Sequence, residues 1–275
     1  MDVDLMMSWD LKTAIQCFKD DKPHVLLTRL YENFGAVSAD VPNRTWGAES
    51  TYGTWDKHGC ATQVMKHLNQ DSLKAVFVSQ HHKFDHPKVH SIPIGIRMPG
   101  QAAPAMQQQQ QQQSMPVANK TQLLMVNFGT SGNRFREVLE PIILKRFNGT
   151  VRNTHGNGQE EFLKEAQRSM FVLCPSGVGW DSYRAWETLH MGSFPITETL
   201  NRSDGCFRIF DNLPVLFVED MGWDVTPELL EASHVQMASN RHNCKHEKLT
   251  KWCWRDFVNS FRPSFQEKQE EEAVE

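Results

Sequence analysis

Leu173–Ile196 reads LCPSGVGWDSYRAWETLHMGSFPI, and the fold is decided there. The apolar run Met170–Leu173 predicts a short buried strand. Cys174-Pro175 ends it, and a loop of small residues follows with Ser176, Gly177 and Gly179. A helix then opens at Asp181 or Ser182, both good N-caps, and runs to Met191. Gly192 falls where a helix takes its left-handed closing residue. Phe194, Pro195 and Ile196 begin the next strand. A strand, a loop, a helix and a second strand in this order make one unit of a parallel sheet.

The same alternation continues on both sides. Upstream, Leu123–Phe128 predicts a strand. The segment 134–147 predicts a helix with Phe135, Val138, Leu139 and Ile142 on one face at steps of three and four. A second helix is expected over Gln159–Gln167. Downstream, Pro214–Val218 predicts a strand and Pro227–Ala232 a helix. Thr226 would be its N-cap, Pro227 its first residue and Glu228 part of its first turn. A last helix near Glu247–Phe261 is expected to turn Leu249, Trp252 and Phe257 inward. The N-terminal part is sparser. His24–Thr28, Ala75–Ser79 and Val89–Ile94 read as short strands, with a helix near Ala61–Leu68 and a loop over Asn43–His58. Between the two parts lies a Gln- and Pro-rich stretch, Pro99–Asn119, holding the run Gln107–Gln113. Such composition cannot bury a core and is expected to be disordered. The chain therefore divides into a lobe over residues 1–98, a linker over 99–119, a second lobe over 120–262 and an acidic tail over 263–275.

Bulk properties exclude some functions. A net charge of −4 over 275 residues supplies no basic field for nucleic acid, so no nucleic-acid partner is expected. No apolar run approaches the length of about 18 residues that a membrane-spanning helix needs. Met1–Lys12 carries Asp2, Asp4 and Asp10, and has neither the basic start nor the apolar core of a signal peptide. Six cysteines, scattered from Cys17 to Cys253, are too few for a disulfide scaffold. The Asn-x-Ser/Thr sites at Asn43, Asn119, Asn148 and Asn201 lean weakly towards a secretory protein.

The chemistry concentrates in the opening segment. Glycines let a phosphate approach the backbone, and the free N–H groups and dipole of a helix start favour its charge. In an open α/β sheet such a site lies at the carboxyl ends of the strands. Arg184 and Glu187 stand three apart on one helix face. Arg184 can give charge-assisted hydrogen bonds to a diphosphate. Glu187, one turn deeper, can accept the two hydroxyls of a ribose. By spacing alone, an ordinary glycine loop with a surface Arg–Glu pair remains the commoner alternative.

These residues also carry a resemblance. Leu-Cys-Pro-x-Gly, then Ser-x-Arg-x-x-Glu-x-Leu, then Gly-x-x-Pro-Ile resembles the signature of the exostosin-like family 47 glycosyltransferases, and in particular their relatives of the ribitol xylosyltransferase type. Cys174, Pro175, Gly177, Ser182, Arg184, Glu187, Leu189, Gly192 and Pro195 carry the match. Leu213–Asp220 with Trp223 and Pro227, Leu123–Phe128 with the basic pair Arg134 and Arg136, and the stretches His86–Lys88 and Ile92–Ile96 extend it. The resemblance implies a GT-B-like α/β architecture, with a C-terminal Rossmann-like parallel-sheet lobe and a shortened N-terminal α/β lobe. It implies a nucleoside-diphosphate-sugar donor, a UDP-sugar above all, and a glycan or glycoprotein acceptor. Glu187 would hold the ribose, and Ser182 and Arg184 would lie towards the diphosphate, with Gly177, Gly179, Arg134 and Arg136 in the same donor site. No further cofactor is expected.

Two departures accompany it. The first lobe is about half the size expected of a Rossmann-like lobe. Enzymes of this type also carry a membrane anchor and act in the Golgi. The chain as it stands carries no such anchor, so membrane attachment would need a missing N-terminal one, and a genuine N-terminus would imply the cytoplasm. The catalytic base has no motif. Asp85 and Glu219 are the carboxylates selected for it, with His81, His82, Glu32 and Asp220 as further candidates. No Asp-x-Asp pair appears, so a metal clamp is not expected. His242, Cys244, His246 and Cys253 lack zinc-site spacing and read as incidental. The rival reading is a non-catalytic remnant that binds a nucleotide or glycan. An unrelated phosphate-binding α/β enzyme fits the Cys-Pro and Gly192–Ile196 motifs less well.

Overall fold

The computed structural model describes residues 5–8, 24–29, 68–69, 71, 73–79, 86–96, 120–129, 133, 135–147, 152–153, 158–177, 180–199 and 205–261. The chain forms two compact units. One is Met1–Ile92 with Asp204–Ile209 and Lys251–Glu275, and the other is Pro93–Ser203 with Phe210–Thr250. The helix expected near 61–68 lies outside the described residues but for Leu68. The loop over 43–58, the stretch 99–119 and the tail from 266 lie outside them entirely.

In the first unit, β1 (Leu5–Ser8), β2 (His24–Arg29), β3 (Leu73–Ser79) and β4 (Val89–Ser91) form a parallel sheet in the order 1-2-3-4. β4 stops at Ser91 and not at Ile94, because Pro93 has no N–H to give to a ladder. Phe77 of β3 is fully buried. Phe257 and Phe261, from and just beyond the last helix, Lys251–Asn259, meet it edge-on at 5.7 and 5.3 Å between ring centroids. Phe257 thus points inward as expected. Trp252 does not: it is 52% exposed, with the Arg255 guanidinium over its ring at 4.4 Å.

The second unit holds β5 (Gln122–Val126), α1 (Phe135–Arg146), β6 (Arg152–Asn153), α2 (Gln159–Arg168), β7 (Ser169–Leu173), α3 (Tyr183–His190), β8 (Phe194–Glu198), β9 (Leu216–Val218), α4 (Met221–Asp224) and α5 (Pro227–Asn240). Its five strands are all parallel in the order β6-β5-β7-β8-β9. Counted along the chain this is 2-1-3-4-5, a doubly wound Rossmann-like sheet whose winding reverses between β5 and β7. Leu124, Val126, Phe171, Leu173, Phe194 and Ile196 pack with Leu139, Ile143, Met221 and Leu230 in one cluster. The strand residues of opposite parity, Met125 and Val172, are also fully buried. Both faces are covered, which is why these strands read as unbroken apolar runs.

The helix ends follow their sequence signals. Gly192 adopts φ 67°. Ser193 N–H donates to the Thr188 carbonyl at 3.1 Å and Gly192 N–H to the Leu189 carbonyl at 3.0 Å, so α3 closes in a Schellman motif. Thr226 Oγ1 accepts from Leu229 N–H at 3.2 Å, and Pro227 starts α5. That helix continues to Asn240, beyond the expected Ala232. The buried face of α1 differs from the expected one. In α1 the buried residues are Arg136, Leu139 and Ile143, whereas Val138 and Ile142 are 59% and 39% exposed. A buried arginine sets the rotation of this helix, and apolar periodicity cannot register it.

The amino end of the sheet is closed by a buried lysine. Lys120 Nζ donates to the Gln167 carbonyl at 2.8 Å and to Ser193 Oγ at 2.6 Å. Burial brings its ammonium down to about 7, with Arg241 pushing the same way. Among the described residues no helix is long and apolar enough to cross a membrane.

Phe171 is fully buried in the central strand, with its ring centroid 5.5 Å from that of Phe194. Replacing Phe171 with alanine is expected to destabilise the protein by about 3–5 kcal/mol, because it removes apolar contact and leaves a cavity the sheet cannot close. The urea midpoint measures it, and a loss below about 1 kcal/mol would contradict this packing.

Candidate functional site

The switch point lies beyond the carboxyl ends of β5 and β7, and Arg136 organises it. Its Nη1 donates to the Gly129 carbonyl at 3.0 Å, its Nη2 to the Pro175 carbonyl at 2.7 Å and its Nε to the Ser176 carbonyl at 2.9 Å. The guanidinium thereby ties the loop after β5 to the loop after β7. Asn133 works beside it. Asn133 Oδ1 accepts from Phe135 N–H at 2.9 Å, which caps the start of α1, and its Nδ2 donates to the same Ser176 carbonyl at 2.7 Å. Gly177 sits tightly in this arrangement. A Cβ there would lie 3.2 Å from Arg136 Nη2. Arg136, selected from sequence as a donor-site residue, thus also holds the loop's shape. Arg134 and Gly179, selected with it, lie outside the described residues.

The start of α3 stands over this loop. Ser182 is the N-cap residue by its backbone, but its hydroxyl makes no capping bond. Ser182 Oγ is buried with no hydrogen-bond partner among the described residues. Asp181, the other expected cap, is drawn elsewhere. Its Oδ2 accepts from Ile94 N–H and its Oδ1 from Trp186 Nε1–H, both at 2.7 Å. Burial pushes the Asp181 carboxyl up to about 7, against these two donors. Arg184 and Glu187 share a face, as their spacing predicts, and both look at the first turn of α2. The Arg184 guanidinium lies over the Phe162 ring at 5.3 Å. Glu187 is only 6% exposed, and its Oε1 accepts from Gln159 Nε2–H at 2.8 Å. Arg136 and Arg184 also feel each other. Burial first, and then the Arg184 charge, bring Arg136 down to about 10. Two guanidinium groups thus converge on one switch point.

Cys174, the signature residue of the motif, is no nucleophile. It is fully buried beside Val172 O (3.4 Å) and Thr188 Oγ1 (3.8 Å). Burial pushes its thiol up to about 12, so it stays a thiol and acts in packing. Of the two carboxylates selected as base, Asp85 lies outside the described residues. Glu219 is exposed just past β9, and its side chain makes no hydrogen bond or ion pair among the described residues.

Sequence reasoning overlooked three members of this constellation: Asn133, Gln159 and Glu198. Glu198 ends β8, and its Oε2 accepts from Ser176 Oγ–H at 3.0 Å. Burial raises its carboxyl above the ordinary range, against the Ser176 hydrogen bonds and the Arg136 charge, with Asp220 adding to the rise. A signal for it existed, since the rule that ligands gather at strand carboxyl ends applies to Glu198 as it does to Glu219. Among the described residues no three His, Cys, Asp or Glu side chains converge to hold a metal ion.

Replacing Arg136 with lysine keeps the charge but loses the fork that reaches three carbonyls. The expected loss of stability is about 1–3 kcal/mol, since the buried Pro175 carbonyl is left without its donor. Urea unfolding of the variant measures it, and wild-type stability would show that the clamp is dispensable.

Among curated proteins no similar sequence was found. The family model described as the RXYLT1 C-terminal domain matches residues 131–273, just over half of the 275-residue chain. The match spans α1, the loop after β7, α3 and Glu198. With the doubly wound sheet and the arginine-lined switch point in place, the chain belongs to the RXYLT1 C-terminal domain family, a ribitol xylosyltransferase-type domain related to the glycosyltransferases.

Proposed function

We propose that the protein is a glycosyltransferase that moves a sugar from a nucleoside-diphosphate sugar, a UDP-sugar, to a glycan or glycoprotein acceptor in the secretory pathway. The observation that carries this is the grouping at one switch point of Arg136, Arg184 and the buried Ser182 hydroxyl, which has no hydrogen-bond partner among the described residues, with the Glu187 carboxylate one turn deeper in α3. Two guanidinium charges in a partly desolvated place favour a dianion. The Ser182 hydroxyl and the first N–H groups of α3 supply further donors to it. Gln159 holds the Glu187 carboxylate at 2.8 Å, and this carboxylate is the group proposed to accept the vicinal hydroxyls of a ribose.

Sugar transfer leaves a nucleoside diphosphate, whose growing charge must be stabilised as the glycosidic bond breaks. Arg184 and the α3 start take that role without a metal ion. The acceptor hydroxyl must lose its proton to a base. Asp85 and Glu219 are the carboxylates we propose for it, and Glu219 stands exposed at the carboxyl end of β9.

Calorimetry with UDP, GDP and a panel of UDP- and GDP-sugars, followed by transfer and hydrolysis assays, tests this reading. UDP is expected to bind. Replacing Glu187 with alanine is expected to weaken UDP by about 2 kcal/mol, on the order of thirtyfold, as charged hydrogen bonds to the ribose are lost. Unchanged UDP affinity in that variant, with its melting temperature intact, would refute the ribose role. Donor binding without turnover would identify a binding protein that has kept the donor site of an enzyme.

A further inference from the structure

We propose that Glu198 is the proton-linked residue of the donor site: when the diphosphate of a nucleotide sugar seats at the start of α3, the Glu198 carboxylate takes up one proton from solvent. The inference rests on the donor-site reading above and extends it to a residue outside the signature motif. Three observations carry it. Glu198 ends β8 at the edge of the switch point, and its Oε2 holds the Ser176 hydroxyl at 3.0 Å. Ser176 is held from its other side by Arg136 and Asn133, which both donate to its carbonyl. The carboxylate is thus anchored to the loop that leads into α3. Its charged surroundings carry both signs. Arg136 from α1 attracts it, Asp220 ahead of α4 repels it, and the loop after β7 contributes only the neutral Ser176 donors.

A diphosphate changes that balance in one direction. It brings negative charge into the same poorly solvated neighbourhood and competes for the field of Arg136. Both effects favour the neutral acid. One O–H bond forms on Glu198, the proton comes from solvent, and no other bond changes. The sign follows from linkage. Without donor, burial already holds the carboxyl above its ordinary range, and with donor it titrates higher still. Donor affinity is therefore greatest below the donor-free value and is lost as pH rises through the donor-bound value. The steepest slope is about tenfold per pH unit.

The test is calorimetry of the full chain with UDP-xylose, whose diphosphate diester has no proton to exchange in this range. Titrations run at several pH values in buffers of different ionisation enthalpy. The expected result is an uptake of up to about one proton per donor bound, with affinity falling as pH rises. Glu198→Gln should abolish both the uptake and the pH dependence. Ser176→Ala removes a bond that favours the carboxylate, so it should move the affinity profile to higher pH, and it serves where Glu198→Gln fails to fold. UDP-xylose binding without buffer-dependent heat, uptake that persists in Glu198→Gln, or a Ser176→Ala profile that does not move would each overturn this inference alone. Failure of every nucleotide sugar to bind would overturn the donor-site reading and this inference with it.

Discussion

The backbone carbonyls of Pro175 and Ser176 are buried where the second sheet reverses its winding, and Arg136 donates to both, and to the part-buried Gly129 carbonyl, with one guanidinium group. Carbonyls at such a depth need donors, because a buried acceptor left unpaired costs about 1–3 kcal/mol. The planar fork of arginine reaches several at once, as lysine cannot. Much of the local structure follows from this group. It fixes the rotation of α1, so that Arg136, Leu139 and Ile143 turn inward while Val138 and Ile142 meet solvent. It ties the loop after β7 to the loop after β5, and its Nη2 would lie 3.2 Å from a Cβ at residue 177, a tight contact.

The same group links stability to function. A guanidinium buried for structural reasons also places positive charge at the point where a parallel sheet collects its ligands. Arg184 joins it from α3, close enough that its charge lowers the Arg136 pKa. The polar residues around them follow a division of labour. Asn133, Gly177 and Glu198 hold the loop, and Gln159 holds Glu187. The Ser182 hydroxyl makes no capping bond and has no hydrogen-bond partner among the described residues.

Much of the second unit was legible in its sequence, for physical reasons. β5, β7 and β8 are covered on both faces, so their apolar runs are unbroken. The cap at Thr226, the proline at the first position of α5 and the left-handed Gly192 are local signals, each decided by a few neighbouring residues. The illegible parts depend on distant partners. Asp181 resembles a helix cap in sequence, yet its carboxylate goes to Ile94 and Trp186. Trp252 resembles a core residue, yet it lies outside under Arg255, while Phe257 five positions on turns inward to Phe77.

The sequence by itself determined the alternation of strands and helices, the closing of α3, and the presence of serine, arginine and glutamate at fixed intervals from a glycine loop. Those features depend on backbone geometry and on residues within a turn or two of one another. Only the tertiary structure decided that Cys174 is an inert thiol, that Arg136 is a clamp as well as a charge, and that Glu198 and Gln159 belong to the site. Burial and hydrogen-bond partners set these properties, and the partners, 22 positions apart for Glu198 and Ser176, 28 for Gln159 and Glu187 and 39 for Arg136 and Pro175, meet only when the sheet is assembled.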